Sequence, residues 1–266
     1  MTKDVAIVIL TKDHPDMLQR CLLSIQKHTM KTSYKIYIGD TGSDVVNMGI
    51  MTNMLRTYFN SDNLKLLQID EYCFSKNNND IVEQHVEEPW VLFCNDDIEL
   101  KTNCIDKMYE QITSMDKPGS VGCQLIFPTG LIQHAGQVAY LDSTNILVCT
   151  HRGYKTNETF ESGKVVGNTA ALMMISSSVF RSMDGFDTIF TECWEDIHLN
   201  MRLILDGYDN YYMNDVVAVH HESVSRTQDN KARYLLQYDY TYKLKPWFDN
   251  LETNKQQWIL NYAYHK

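Results

Sequence analysis

With 266 residues, the chain is long enough for one large domain that buries a sizeable core. Hydrophobic residues make up 44% of the chain and charged residues 22%, which argues against a wholly disordered protein. The net charge of −10 argues against nucleic acid as a partner, because such binding depends on clustered Lys and Arg side chains.

The targeting and cysteine patterns favour a cytoplasmic location. The opening "MTKDVAIVIL" contains too short an apolar run for a signal peptide, and no later run approaches the roughly 20 residues of a membrane span. The 7 cysteines are scattered and never form a C-x-x-C pair. We therefore expect reduced thiols and no cysteine-based zinc site.

The first hundred residues alternate between the two hydrophobic periods. Residues 5–10, "VAIVIL", predict a parallel strand covered on both faces. A helix should follow, with Asp13 as its cap and Pro15 in its first turn. Further strands are predicted at 35–39, 64–69 and 90–94, with helices near 45–59 and 77–86 between them. This alternation indicates an α/β fold with an open, mostly parallel, doubly wound sheet.

The rest of the chain has a mixed pattern. Short apolar runs at 121–127 and 170–175 are followed by a predicted helix over 195–207 and a strand over 216–221. Segment 142–164 is polar, and no element is predicted there. The tail from Tyr234 is rich in Tyr, Trp and Lys, and we expect it to be helical and to pack on the body or on a partner.

Polar residues end three of the four predicted N-terminal strands. They are Thr11 and Asp13, Asp40, and the run Asn95–Asp97. In open α/β sheets, ligands bind beyond the carboxyl ends of the strands. Adjacent carboxylates after a buried strand repel each other, and a divalent cation relieves that repulsion. Metal binding by Asp96 and Asp97 is therefore favoured over the simpler reading, in which Asp96 caps a following helix.

Two later clusters could also carry chemistry. Glu195 and Asp196 open a predicted helix, where the helix dipole alone could explain them, but Trp194 beside them offers an apolar face for a sugar. His220 and His221 end a strand, so one of them should point inward and could bind a metal. Arg226 follows in a loop and could pair with a phosphate.

Taken together, these segments resemble glycosyltransferase family 2, the inverting enzymes of the GT-A fold, in particular bacterial polysaccharide-type members. The resemblance runs collinearly over roughly residues 3 to 226. It rests on "VAIVILTKDHPDMLQRCLLSI", "IGDTGSD", "CFSKNNNDIV", "WVLFCNDDIEL", "FPTGLIQHAG", "GNTAALMMISSSVFRSMDGFD", "WEDIHLNMRL" and "VHHESVSR". Each segment alone is a weak signal, whereas their common order is a strong one.

The resemblance implies a role for each matching residue. The metal, Mn²⁺ or Mg²⁺, would be held by Asp97 and His220, and Asp196 would be the catalytic base with Glu195 beside it. The nucleotide sugar would be bound by Thr11, Asp13, Asp40, Asn78, Asp96, Trp194 and Arg226, with Asp40 on the base, Asp96 near the ribose and Arg226 on the diphosphate.

The resemblance also implies an organisation and a set of partners. A GT-A domain would span 1–233, with a nucleotide-binding half at 1–98 and an acceptor half at 99–233, followed by an extension at 234–266. The donor would be a UDP- or dTDP-linked sugar and the acceptor a glycan or lipid-linked sugar. The tail could support a homo-oligomer or a peripheral membrane contact. Two alternatives remain: a nucleotidyltransferase on a related fold, or a degenerate GT-A domain that only binds a nucleotide or partner.

Overall fold

The computed structural model describes residues 2–59, 61–190, 193–221 and 230–262. The strands are β1 Val5–Thr11, β2 Tyr34–Asp40, β3 Leu64–Gln68, β4 Trp90–Cys94, β5 Ile98–Leu100, β6 Pro118–Ile126, β7 Ile132–His134, β8 Gln137–Leu141, β9 Leu147–His151, β10 Gly163–Lys164, β11 Leu172–Ser176 and β12 Asp209–His220. The helices are α1 Pro15–His28, α2 Val45–Tyr58, α3 Phe74–His85, α4 Cys104–Ser114, α5 Ser177–Ser182, α6 Glu195–Leu205, α7 Asn230–Asp239, α8 Lys245–Asp249 and α9 Thr253–Asn261.

One central sheet organises the molecule. Its strand order is β10-β12-β6-β11-β4-β1-β2-β3, with β5 paired to β12 and β7 paired to β6. Strands β4, β1, β2 and β3 are mutually parallel, and β6 is parallel to β12. The antiparallel strand β11 joins these two groups. The predicted α/β fold is therefore confirmed, with its N-terminal half in the expected parallel order.

Hydrophobic pattern explains the N-terminal half. Strand β1 is buried on both faces because α1 covers one face of the sheet and α3 contributes to the core on the other. The apolar stripe of α1 faces inward at Leu18, Cys21, Leu22 and Ile25, as its spacing predicts.

The predicted helix cap at Asp13 is wrong. Residue His14 occupies the cap position, because Pro15 is already the first helical residue. Asp13 adopts a left-handed backbone conformation, with φ of 58°. Its carboxylate accepts a hydrogen bond from the Asp44 backbone N–H at 2.8 Å, which ties the loop after β1 to the start of α2.

The second half contains strands that the sequence did not reveal. A strand, β5, follows Asp97 instead of a helix and pairs with the end of β12. Strand β12 begins at Asp209, seven residues before the predicted strand at 216–221. Part of the polar segment 142–164 forms β9, which pairs with β8 in a separate two-stranded ribbon.

The C-terminal helices pack on the body, as one of the two expectations for the tail had it. Buried Leu244, Phe248 and Ile259 form a third core cluster with apolar residues of α6, among them Met201 and Ile204. Within the described ranges, no helix combines the length and the apolar character that crossing a bilayer requires. The division of the chain at residue 234 stays a prediction.

A buried carboxylate joins α4 to the loop before β2. Asp106 is 2% exposed and accepts hydrogen bonds from the backbone N–H groups of Met30 at 2.9 Å, Lys31 at 3.2 Å and Thr32 at 2.8 Å. Burial raises the pKa of Asp106, but the hydrogen bonds from these amides together lower the pKa by a larger amount. The net shift is therefore downward.

Replacing Asp106 with Asn should therefore destabilise the fold by about 2–3 kcal/mol at pH 7, because the new amide places N–H donors against backbone N–H donors. Since the folded pKa is depressed, the carboxylate's contribution is present above the unfolded pKa of about 3.9 and is lost as the pH falls through the folded value. Urea unfolding at pH 7 and near pH 3 would measure both the loss of stability in the variant and its dependence on pH. Asp16→Asn, in the exposed first turn of α1, is the matched control; equal destabilisation by both variants would contradict the assignment.

Candidate active site

A cavity of about 850 Å³ opens at the carboxyl ends of β1 and β4. Its walls also include the end of β12, the β8–β9 ribbon, the start of α6 and the α7 residues Leu235 and Leu236. The predicted site residues that line it are Thr11, Asp13, Asp96, Asp97, Trp194, Glu195, Asp196 and His220. The topology thus brings together side chains that are up to about two hundred residues apart in the chain.

Asp96 is held at the end of β4 by its neighbour on β1. The parallel register pairs Val8 with Phe93, and continued for three residues it brings Thr11 opposite Asp96. The Thr11 hydroxyl donates a hydrogen bond of 2.6 Å to Asp96 Oδ2. Burial nevertheless raises the pKa of Asp96 to about 6, and the charge of Asp97 adds to this effect.

Asp97 and His220 form a close pair of candidate metal ligands. The pairing of β5 with β12 sets His220 opposite Ile98, and Asp97 Oδ1 lies 3.2 Å from His220 Nε2. Burial raises the pKa of Asp97, but the adjacent imidazole lowers it more, so that the net shift is downward. The predicted inward and outward split of the two histidines is confirmed, since His221 instead contacts Glu99 at 3.2 Å.

These two side chains suit a hard divalent cation. Asp97 Oδ1 is buried and accepts no well-formed hydrogen bond from the described part of the chain. No group of three or more His, Cys, Asp or Glu side chains in those residues is arranged to hold a metal ion. A carboxylate and an imidazole alone fit a cation whose other ligands are substrate phosphates and water.

Asp196 lies at the first turn of α6, on the same cavity. Its Oδ2 accepts a hydrogen bond from the Ala170 backbone N–H at 3.2 Å, and its Oδ1 accepts one from Ile197 N–H at 2.6 Å. Trp194, just before the helix, has a φ of 82°, a conformation that costs about 1–3 kcal/mol for a bulky residue. Its indole N–H donates to the Leu236 carbonyl at 2.9 Å, which fixes the ring at the cavity wall.

Two predicted donor-binding residues, Asp40 and Asn78, lie elsewhere, and a third is not described. Asp40 is 3% exposed, does not line the cavity, and accepts hydrogen bonds from the Ser43 hydroxyl and backbone N–H. Asn78 is buried in α3, where its amide donates to the Phe74 carbonyl. Arg226 lies outside the described residues. Contacts of these three with a nucleotide stay predictions.

The sequence analysis missed several residues of the cavity wall. They are Gln133, Gln137, Thr150, His151 and Tyr154, which come from β7, from the β8–β9 ribbon and from the loop after it. A signal was present for the first of them. Gln133 and His134 interrupt an otherwise apolar context in "GLIQHAG", and both are buried. Buried polar residues need a partner, so such a pair indicates a site or a hydrogen-bonded network.

Solved structures share this architecture. GalNAc-T7 with UDP, GalNAc and Mn²⁺ matches with a TM-score of 0.68 at 12% identity, over 90% of this chain and 48% of that one. The mannosyltransferase PcManGT from Pyrobaculum calidifontis with GDP-Man and Mn²⁺ matches with a TM-score of 0.67 at 14% identity. The match covers 98% of this chain and 69% of that one. S. aureus TarS 1-349 with UDP-GlcNAc matches with a TM-score of 0.65 at 15% identity. The match covers 98% of this chain and 71% of that one. These likenesses confirm the GT-A fold.

Two curated proteins resemble the chain in sequence. "O-antigen biosynthesis protein RfbC" of Myxococcus xanthus is 27% identical over 258 residues, which covers 92% of this chain and 19% of that protein. "Uncharacterized protein y4gI" of Sinorhizobium fredii is 28% identical over 253 residues, covering 89% and 27%. The chain thus spans about a fifth to a quarter of the length of these relatives. No family profile matches it.

Proposed function

We propose that the protein is a metal-dependent, inverting glycosyltransferase of family 2, which moves a sugar from a nucleoside diphosphate to an acceptor hydroxyl. The observation that carries the proposal is that Asp97, His220 and Asp196 line one cavity at the carboxyl edge of the sheet. The three similar solved structures contain UDP, GDP-Man or UDP-GlcNAc, which supports a nucleotide sugar as the donor.

The proposed cation site lies at Asp97 and His220. Bound there, Mn²⁺ or Mg²⁺ would stabilise the negative charge that develops on the leaving diphosphate. The chain itself supplies the two ligands and keeps them close, through the pairing of β5 with β12. Asp96, with its raised pKa and its hydrogen bond from Thr11, is suited to contact a ribose hydroxyl beside this position.

Asp196 is the proposed general base. The acceptor hydroxyl must lose its proton as it attacks the anomeric carbon, and a carboxylate that lines the same cavity can accept that proton. Two backbone N–H groups hold the Asp196 carboxylate in place. Because base and leaving group would lie on opposite faces of the sugar, the reaction should invert the anomeric configuration.

A panel of nucleotide sugars tests the proposal directly. With Mn²⁺ present, one UDP-, dTDP- or GDP-linked sugar at about 100 times its Kd should stabilise the native state by about 2.7 kcal/mol. For a chain of this size, that corresponds to a rise in Tm of roughly 5–10 °C. A nucleoside monophosphate, which lacks the diphosphate, is the matched control. Failure of every nucleotide sugar to shift Tm would contradict the proposal, and NMR of the released sugar would show whether the configuration inverts.

A further inference from the structure

A short, strong contact connects His220 to a residue that the proposed mechanism does not use. His220 Nδ1 lies 2.6 Å from Gln133 Oε1. Gln133 is 3% exposed and His220 is 9% exposed, so water competes little for this hydrogen bond. An amide oxygen can only accept, and therefore the Nδ1 atom of His220 must carry the proton that it donates.

A strand irregularity aims Gln133 at this contact. In the antiparallel pairing of β6 with β7, Leu125 faces His134 but Ile126 faces Ile132, so Gln133 is one extra residue in β7 at this point. Such a one-residue bulge re-aims a side chain and is common beside active sites. Strand β6 lies between β7 and β12, and the bulge lets Gln133 reach His220 on the far side of β6.

The second ring nitrogen faces the proposed cation site. His220 Nε2 lies 3.2 Å from Asp97 Oδ1 and 3.4 Å from the amide nitrogen of Asn95. The carboxylate can accept a hydrogen bond from Nε2 whenever that atom carries a proton. A histidine binds a metal through a nitrogen that carries no proton, so a proton fixed on Nδ1 by Gln133 makes Nε2 the atom that can become a ligand.

We propose that Gln133 is a positioning residue, which fixes the ring orientation and tautomer of His220 so that Nε2 faces the cation site beside Asp97. The inference rests on the proposed function for the identity of the site, while the contact between Gln133 and His220 can be tested by itself. Partners that accept from the second nitrogen of a metal-binding histidine typically strengthen metal affinity by about 10–100-fold.

Two variants separate the hydrogen bond from packing. Gln133→Met keeps a flexible side chain of similar length but removes the acceptor, whereas Gln133→Glu keeps an acceptor oxygen at the same place. The matched control is Gln124→Met on β6, since Gln124 also accepts a hydrogen bond from a buried ring, the Tyr212 hydroxyl at 3.1 Å, but lies outside the cavity wall. Thermal melting of all variants reports on folding.

The first readout needs no metal. Long-range ¹H–¹⁵N NMR of histidine-labelled protein, with the His220 signals assigned by their loss in His220→Gln, should show a proton on Nδ1 in the wild type and in Gln124→Met. In Gln133→Met, the Nε2–H form should appear. A wild-type protein in the Nε2–H form, or an unchanged tautomer in Gln133→Met, would overturn the inference even if the proposed transferase activity is present. Should Gln133→Met fail to fold, Gln133→Glu still tests the contact, because the Nδ1–H form must persist in it.

The second readout is the affinity for Mn²⁺ in the presence of UDP, measured by titration calorimetry. We expect a loss of about 10–100-fold for Gln133→Met, recovery to near the wild-type value for Gln133→Glu, and no change for Gln124→Met. Equal affinities in all four proteins would refute the positioning role. Absence of Mn²⁺ binding by the wild type with any nucleoside diphosphate would instead count against the proposed function. The NMR measurement would still test the contact between Gln133 and His220 independently.

Discussion

Replacement of Asp196 by Asn is expected to lower kcat by about 10²–10⁴-fold while leaving the affinity for the nucleotide sugar almost unchanged. The carboxylate would accept the proton of the acceptor hydroxyl, and a carboxamide cannot do so at neutral pH. The nucleotide would be held by other residues of the cavity, at the ends of β1 and β4. Initial rates at saturating donor and acceptor, with calorimetry for donor affinity, measure the two effects separately.

Asp206→Asn provides a matched control for this variant. Asp206 caps the other end of α6, outside the cavity wall, so the same chemical change there should leave the rate unaffected. A wild-type kcat in the Asp196→Asn enzyme would show that Asp196 is not the base. A parallel loss of donor affinity and Tm would instead point to disruption of its hydrogen bonds with the Ala170 and Ile197 amides.

The second large effect concerns the cation. Chelation of divalent ions, or the variant Asp97→Ala, should lower transfer by at least about 10²-fold, because roughly 3 kcal/mol or more of charge stabilisation on the leaving diphosphate is lost. Added Mn²⁺ should restore the chelated wild type but not Asp97→Ala. The readout is the release of nucleoside diphosphate at a range of Mn²⁺ concentrations.

Asp215→Ala is the control for Asp97→Ala. Asp215 is an exposed β12 residue that pairs with Lys107, and it lies away from the cavity. Its removal should change neither the rate nor the Mn²⁺ dependence. Full activity of the wild type in excess chelator would refute a metal-dependent mechanism. Cationic side chains would then have to stabilise the leaving diphosphate.

The N-terminal half could be predicted from the sequence because its signals are local. The apolar run before Thr11 is long and β-branched, and the helix behind Pro15 has a regular stripe, so each element is determined by neighbouring residues. Parallel strands share one carboxyl edge, and the meeting of Thr11 with Asp96 follows from that rule.

The missed features depend on contacts between distant residues. Strand β5 has three residues and exists because β12 pairs with it more than a hundred residues later in the chain. The β8–β9 ribbon is partly exposed, so its hydrophobic pattern is weak. The proposed role of Gln133 depends on a bulge, and no local sequence pattern indicates a shift in register.

The cap at Asp13 failed for a different reason. Its side chain was expected to serve the helix that follows, but the backbone N–H of Asp44 competes for the same oxygen. Asp40, whose contact with a nucleotide base stays a prediction, likewise accepts a hydrogen bond from Ser43 at each of its carboxylate oxygens. Polar residues at strand ends serve each other as well as a ligand, and a sequence alone does not distinguish the two uses.

The packing of the C-terminal helices on α6 ties the tail to the catalytic residue proposed at the start of that helix. The Trp258 indole donates to the Ile204 carbonyl at 3.0 Å, and Ile259 is fully buried in the same cluster. Truncation before residue 234 would expose one side of α6 to water and remove contacts that hold the helix in position. Loss of the last thirty or so residues would therefore impair turnover and solubility together, although those residues include none of the groups proposed to bind the cation or to accept the proton.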